Sequence, residues 1–312
     1  MNRAVAALLV LLAAAAPARS RVAQAFFTAD GIAPLADDAR FQVRLFHTGL
    51  SGAGTVEFGG RDFLTLGASY DVLERRYFLP DWIGYRGANE PSDDYLNRNH
   101  LAVPLHATAL SAAYAHSFGS RWALAASLGA GYAGDYHRYD LRDTQPLASL
   151  EAAVRLHPTF RLTFGLSYRE AFRPWFATPT LGWEWRPTPW FHSEARLPRS
   201  VDFDFVFLDR IEAGVFGLAE GHDYRVRENR LGFDRLLYLD ARAGVSMGFR
   251  VIGDLWLAIQ GGYSPYRLLS GRGAGDKETW GGRMENVWFG GVTLDLRSLA
   301  GQPTPPAAGE IP

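Results

Sequence analysis

The feature that most constrains this chain is a strict alternation over residues 237–250. Leu237, Leu239, Ala241, Ala243, Val245, Met247 and Phe249 are apolar, while Tyr238, Asp240, Arg242, Gly244, Ser246, Gly248 and Arg250 between them are polar or small. A period of two belongs to a β-strand, whose successive side chains point to opposite faces. The run lasts about 14 residues, longer than most strands of soluble proteins. Its polar face carries Asp240, Arg242 and Arg250, and an unpaired charge in a sandwich core costs several kcal/mol. A polar lumen accepts such residues, and lipid accepts the other face. A soluble sandwich or a lipocalin-like barrel is the competing architecture; the strand length and the charged inner face weigh against it.

The pattern recurs. Trp122, Leu124, Ala126, Leu128, Ala130 and Tyr132 alternate with small residues, and Leu150, Ala152, Val154 and Leu156 precede a Pro158-Thr159 turn into Leu162, Phe164, Leu166 and Tyr168. Strands are expected at 62–73, 104–117, 121–133, 147–157, 160–170, 180–186, 190–197, 201–208, 210–219, 234–250, 254–267 and 284–296. A weaker pair, 41–47 and 55–58 around a Ser51–Gly54 turn, raises twelve to fourteen, and either number satisfies the even count of bacterial barrels. Short connections (119–120, 158–159, 187–189, 209–210, 251–254) mostly alternate with long ones (74–102, 134–146, 171–179, 221–234, 268–283). Such barrels put short turns in the periplasm and long loops outside, so Pro198–Ser200 must be a short outer loop. The expected fold is an all-β antiparallel transmembrane β-barrel of 12 to 14 strands, located in the bacterial outer membrane.

Residues 1–25 resemble a cleaved secretory signal peptide: Arg3, an apolar run from Ala4 to Ala16, then Ala23-Gln24-Ala25 as a small-x-small site. Residues 26–39 follow as an N-terminal extension and 40–298 as the barrel, in which the 74–102 loop is long enough to fold inward as a plug. The Pro/Ala-rich tail at 299–312 is expected to be disordered. With no cysteine, the chain has no disulfide, thiolate metal site, cysteine nucleophile or lipidated N-terminus. The 32 basic and 33 acidic residues leave a charge of -1, which excludes the basic footprint of a nucleic-acid binder.

Chemistry is sparse. His192-Ser193-Glu194 is a poor hydrolase triad, because adjacent strand residues face opposite ways, and His116-Ser117 beside a turn is no better. No catalytic residue, metal site or cofactor is expected; the scattered histidines form no ligand pair, and Asp135–Asp140 and Ser92-Asp93-Asp94 have the character of solvated outer loops, the latter able to bridge lipopolysaccharide phosphates through a divalent ion. The informative set is inward charge: Glu151, Arg155, Arg169, Glu184, Arg186, His192, Glu194 and Arg196, with Asp202, Asp204, Asp240, Arg242 and Arg250. Opposed across a lumen, these line a narrow pore; paired along the wall, they are a ladder filling a closed barrel. Trp122, Tyr132, Tyr168, Trp183, Trp185, Tyr263 and Trp288 suit interfacial girdles.

Val103-Pro104-Leu105, Thr178-Pro179-Thr180-Leu181-Gly182-Trp183 with Arg186-Pro187-Thr188-Pro189-Trp190, Leu197-Pro198-Arg199 and Tyr224-Arg225-Val226 resemble the pattern of a bacterial family of outer-membrane β-barrel proteins of unknown function. The resemblance covers 104–296 and implies fold and compartment, with no catalytic residues to carry over. The expected function is a narrow or gated passive pore for small polar solutes, with a closed structural or surface-interacting barrel as the alternative and a lipid hydrolase behind both. Expected partners are outer-membrane lipid and lipopolysaccharide, and the barrel-insertion machinery and periplasmic chaperones during biogenesis.

Overall fold

The computed structural model describes residues 20–28, 31–34, 40–78, 103–135, 143–169, 177–207, 210–226, 233–253, 255–273 and 278–296. They form β1 (Ser20–Thr28), β2 (Gly31–Pro34), β3 (Arg40–Phe58), β4 (Asp62–Phe78), β5 (Leu105–Phe118), β6 (Trp122–Gly134), β7 (Gln145–His157) and β8 (Phe160–Arg169). The second half adds β9 (Thr178–Thr188), β10 (Phe191–Leu197), β11 (Ser200–Phe207), β12 (Ile211–Arg225), β13 (Arg235–Ile252), β14 (Leu255–Arg272), β15 (Glu278–Met284) and β16 (Val287–Leu296). Neighbours pair antiparallel around one sheet, and β16 returns to β1 and closes it. β1 and β2 lie end to end along β3, and β15 and β16 end to end along β14, so sixteen segments occupy 16 − 2 = 14 positions in the wall.

The fourteenth position is filled differently from the expectation. Residues 40–58 are one unbroken strand with Ser51–Gly54 in its interior, and the chain turns instead at Gly59 and Gly60, whose φ of 61° and 72° only glycine adopts without strain. The missing strand comes from the N-terminus: Ser20–Ala25, together with Phe26–Thr28, pairs with β16. A cut after Ala25 therefore falls inside β1, and the wall begins before residue 40. β4, β12 and β14 also run further than expected, to Phe78, Arg225 and Arg272. Of the 74–102 segment expected as an inward plug, residues 74–78 continue β4 in the wall, and 79–102, the tail from 297 and the first nineteen residues lie outside the described residues.

Alternation fixes the two faces. Leu110, Leu128, Leu150, Val215, Val245, Ile259 and Trp288 point outward and are more than half exposed, a continuous apolar exterior of the kind lipid covers. Of the expected girdle residues, Trp122, Trp185, Tyr263 and Trp288 stand on this surface, with Tyr263 and Trp288 packed edge to face. Tyr132 does not: it is 5% exposed, because it lies where β6 has lost β7 and another strand comes alongside.

That strand is β12, and the contact divides the barrel into two tiers. β10 and β11 are 7 and 8 residues long, whereas β12, β13 and β14 have 15, 18 and 18. Pairing of β11 with β12 stops at Ser200↔Leu218, and that of β6 with β7 at Gly131↔Gln145. Beyond those points β12 crosses the ends of the five shorter strands and Arg225 pairs in parallel with Gly134 of β6. The tier at the short-turn end has all 14 positions, and the tier at the long-loop end has 14 − 5 = 9. Barrel diameter grows with strand number, and about 8 strands leave an interior that side chains just fill. The smaller tier is filled in this way, and the larger one is not.

Candidate functional site

The filling of the smaller tier is apolar. Leu45, Leu73, Leu105, Ala107 and Ala133 from β3 to β6 meet Tyr224, Val226, Phe233, Leu236, Tyr238, Leu269 and Met284 from the opposite wall, all buried in one cluster. The strap formed by the end of β12 belongs to this seal, supplying Tyr224 and Val226. It is fastened by the Arg225↔Gly134 pair, by the Asp135 amide donating to the Arg225 carbonyl at 3.2 Å and by Gln145 Nε2 donating to the Asp223 carbonyl at 2.6 Å. Gly134 permits the approach: a Cβ there would lie 2.7 Å from the Arg225 carbonyl oxygen. Asp223 and Arg235, both buried, form a bidentate pair that binds the ends of β12 and β13 into one unit.

Charge lies one step below the seal. Moving two residues along each strand takes Leu45 to His47, Leu73 to Asp71, Tyr238 to Asp240 and Leu269 to Arg267, so the ionic layer is built by the same inward face as the apolar one. Asp240 accepts from Tyr238 OH and from Arg242 Nε, each at 2.7 Å, and from the Ser264 hydroxyl. Ser264 reaches it because the register between β13 and β14 slips beside Ala241 and Ala243; the extra β14 residue makes a bulge, which also accommodates Pro265. Arg242 Nη2 donates to Glu220 Oε2 at 3.1 Å, that oxygen lies 3.8 Å from Nδ1 of His47, and Nε2 of His47 lies 3.4 Å from Asp71 Oδ1. β12 and β3 are separated in the sheet by β13, β14, β16 and β1, so the chain of contacts from Ser264 to Asp71 spans the lumen as a bar.

The larger tier is asymmetric. Its β5 and β6 wall is lined by Ser111, Ala113, Ala115, Ala123, Ala125 and Ser127, while the wall from β8 to β11 carries ionic pairs within and between strands. Arg161 and Arg186 sit 2.5 and 3.0 Å from Glu184, Arg196 3.3 Å from Glu194, and His192 3.9 and 4.0 Å from Glu194 and Asp204. Arg155, Arg161, Glu184 and Arg186 meet in a recess near the short turns. On the small-residue wall Ala113, Ala115, Ala123 and Ala125 are buried, Ala115 and Ala125 in a cluster with Phe63, while Ser111 and Ser127 are partly exposed.

The inward assignments from alternation divide between these two places. Glu184, Arg186, His192, Glu194 and Arg196 pair along one wall of the larger tier, with Glu151, Arg155, Asp202 and Asp204 on the same face of their strands; Asp240 and Arg242 belong to the bar. Arg250 lies at the rim, donating to the Gly253 carbonyl in the turn, and the Arg169 side chain lies outside the described residues. Sequence reasoning missed His47, Asp71, Glu220 and Arg267. The usable signal was the charged residue two places from an apolar one on each strand, but it needs the register. Ser193 lies on the outer face, receiving a hydrogen bond from Trp183 Nε1 at 3.0 Å, opposite to His192 and Glu194. His116 is held by Asp62 at 2.7 Å, which also accepts from Tyr114 OH. Among the described residues no group of three or more His, Asp or Glu is placed to hold a metal ion.

A family model described as Domain of unknown function (DUF6268) matches residues 92–273. No curated protein matches the sequence. Among solved structures, the chain is similar to the TodX monoaromatic hydrocarbon channel deltaS2 mutant, with 9% identity, 93% of this chain and 94% of that chain covered and a TM-score of 0.47. It is also similar to a Pseudomonas aeruginosa FadL homologue (9% identity, 90% of each chain, TM-score 0.41) and to KdgM porin (8% identity, 87% of this chain and 98% of that chain, TM-score 0.31).

Proposed function

The chain belongs to the family described as Domain of unknown function (DUF6268), which leaves its activity to be read from its geometry, and we propose that it is a gated passive pore for small polar solutes in the bacterial outer membrane. In that placement the short turns face the periplasm and the sealed, smaller tier faces outward. The larger tier is the vestibule, polar on one wall and small on the other, and acyl chains and lipopolysaccharide meet the apolar exterior. The chain reaches the membrane with the help of periplasmic chaperones and the insertion machinery. It acts without catalysis: the serine and histidine that a hydrolase would join lie on opposite faces of β10.

The observation that carries this proposal is the seam between β6 and β12, a single bridging pair closing the tier that contains the seal. The two hydrogen bonds that accompany it contribute about 1–3 kcal/mol together, and burial of Tyr224 and Val226 adds about 1.5–3 kcal/mol for each side chain, so the closed state predominates and the open one is minor. Releasing the strap withdraws Tyr224 and Val226 from the seal and Glu220 from His47, opening the apolar and the ionic barriers together.

Single-channel recording in planar bilayers tests this. Wild type is expected to show long closures with discrete steps. Gly134→Val places side-chain atoms where the Arg225 carbonyl now sits and raises the open fraction several-fold. If both proteins fold correctly and stay silent, the closed, purely structural barrel is the right account; fatty acid released from lipopolysaccharide by purified wild type would instead restore the hydrolase.

A further inference from the structure

Arg267 is the one arginine of the ionic layer for which the bar has no use. Its side chain is fully buried, at 0% exposure, on the inward face of β14 directly beneath Leu269 and opposite Asp240. None of its three guanidinium nitrogens has a hydrogen-bond partner among the described residues. Asp240 is close enough to attract it, but that carboxylate already accepts from Tyr238, Arg242 and Ser264, and it closes no hydrogen bond with Arg267. On its other side Arg267 stands opposite Met284 of β15, which offers no strong acceptor. A buried guanidinium with five N–H groups and no acceptor is costly, and its persistence points to an acceptor that the chain itself does not supply.

We infer that Arg267 is an anion-binding site between the apolar seal and the ionic bar, and that its ligand is a small carboxylate. The planar fork of a guanidinium matches the two oxygens of a carboxylate. Charge balance narrows the class further. Asp71, Glu220 and Asp240 already bring three carboxylates into this part of the lumen, so the site takes one added negative charge more readily than two, and a monoanion suits it better than a phosphate dianion. The bound anion braces the seal from below by satisfying the only wholly unsatisfied guanidinium among the described arginines of the layer. This inference does not depend on the pore: a closed barrel carries the same site.

Thermal unfolding of the full-length protein in detergent micelles tests it, with sodium acetate replacing sodium chloride at constant ionic strength and pH, and with inorganic phosphate as a second arm. Acetate is expected to raise the unfolding temperature along a saturating curve, as a ligand of the folded state must. Arg267→Met abolishes the rise while matching or exceeding the wild-type unfolding temperature without acetate, because it removes a poorly compensated charge. Arg283→Met, at an exposed position of β15, keeps the wild-type response. The inference is overturned if acetate has no saturating effect on wild type, or the same effect on Arg267→Met; phosphate acting where acetate does not would overturn the carboxylate assignment. Failure of Arg267→Met to fold would count equally against it, since the guanidinium would then be needed by the chain itself.

Discussion

At the scale of single residues, burial separates the charges that hold the molecule together from those that merely line it. Asp240 has a side chain at 0% exposure and collects three donors, including Arg242 at 3%. Removing one partner of such a pair leaves the other buried and unpaired, so Asp240→Ala is expected to lower the unfolding free energy by about 3–5 kcal/mol. Glu194 faces the wider tier with its side chain 30% exposed beside Arg196, and Glu194→Gln should cost no more than about 1 kcal/mol. Equilibrium urea unfolding in detergent checks both; equal losses would mean that the two environments do not differ as described. Alternation alone put Asp240, Arg242, Glu184 and Glu194 on the inward face. It did not show which of them meet, since partners depend on register, and register depends on turns that were partly misplaced.

Elements were legible wherever lipid imposes its pattern and obscure where it does not. The stretch from Glu220 to Arg225 alternates Glu220, His222 and Tyr224 with Gly221, Asp223 and Arg225, so neither parity is apolar and a loop was the natural expectation. It is a strand nonetheless, because it runs across the ends of shorter strands and buries both faces in protein. The extension of β14 to Arg272 and its pairing with β15 were hidden for the same reason. β3 was divided in two because Ser51, Gly52 and Gly54 imitate a turn. The N-terminal strand is not legible because small residues at 23 and 25 have the form of a processing site, although Ser20–Ala25 covers the edge of β16. An uncovered edge of that length is a hazard that barrels exist to remove. The mature protein is therefore expected to retain residues 20–25, and the intact mass of protein extracted from membranes decides it: a chain beginning at Phe26 would show that the barrel closes without them.

For the whole molecule, fourteen positions at one end and nine at the other make a vessel wide enough for water below and narrow enough for side chains to plug above. Seal, ionic bar and strap then follow from the five short strands, which oblige β12 to span the gap. The tiers, the seal and the gate all presuppose that the alternating faces meet lipid outside and a polar lumen within. Nitroxide labels placed one at a time from Ala243 to Phe249 of β13, in protein reconstituted into lipid vesicles, measure this directly through collision with oxygen and with a water-soluble nickel complex. Labels at 243, 245, 247 and 249 should be reached chiefly by oxygen and those at 244, 246 and 248 chiefly by nickel, with a period of two. Uniform access to nickel along the segment would contradict the account.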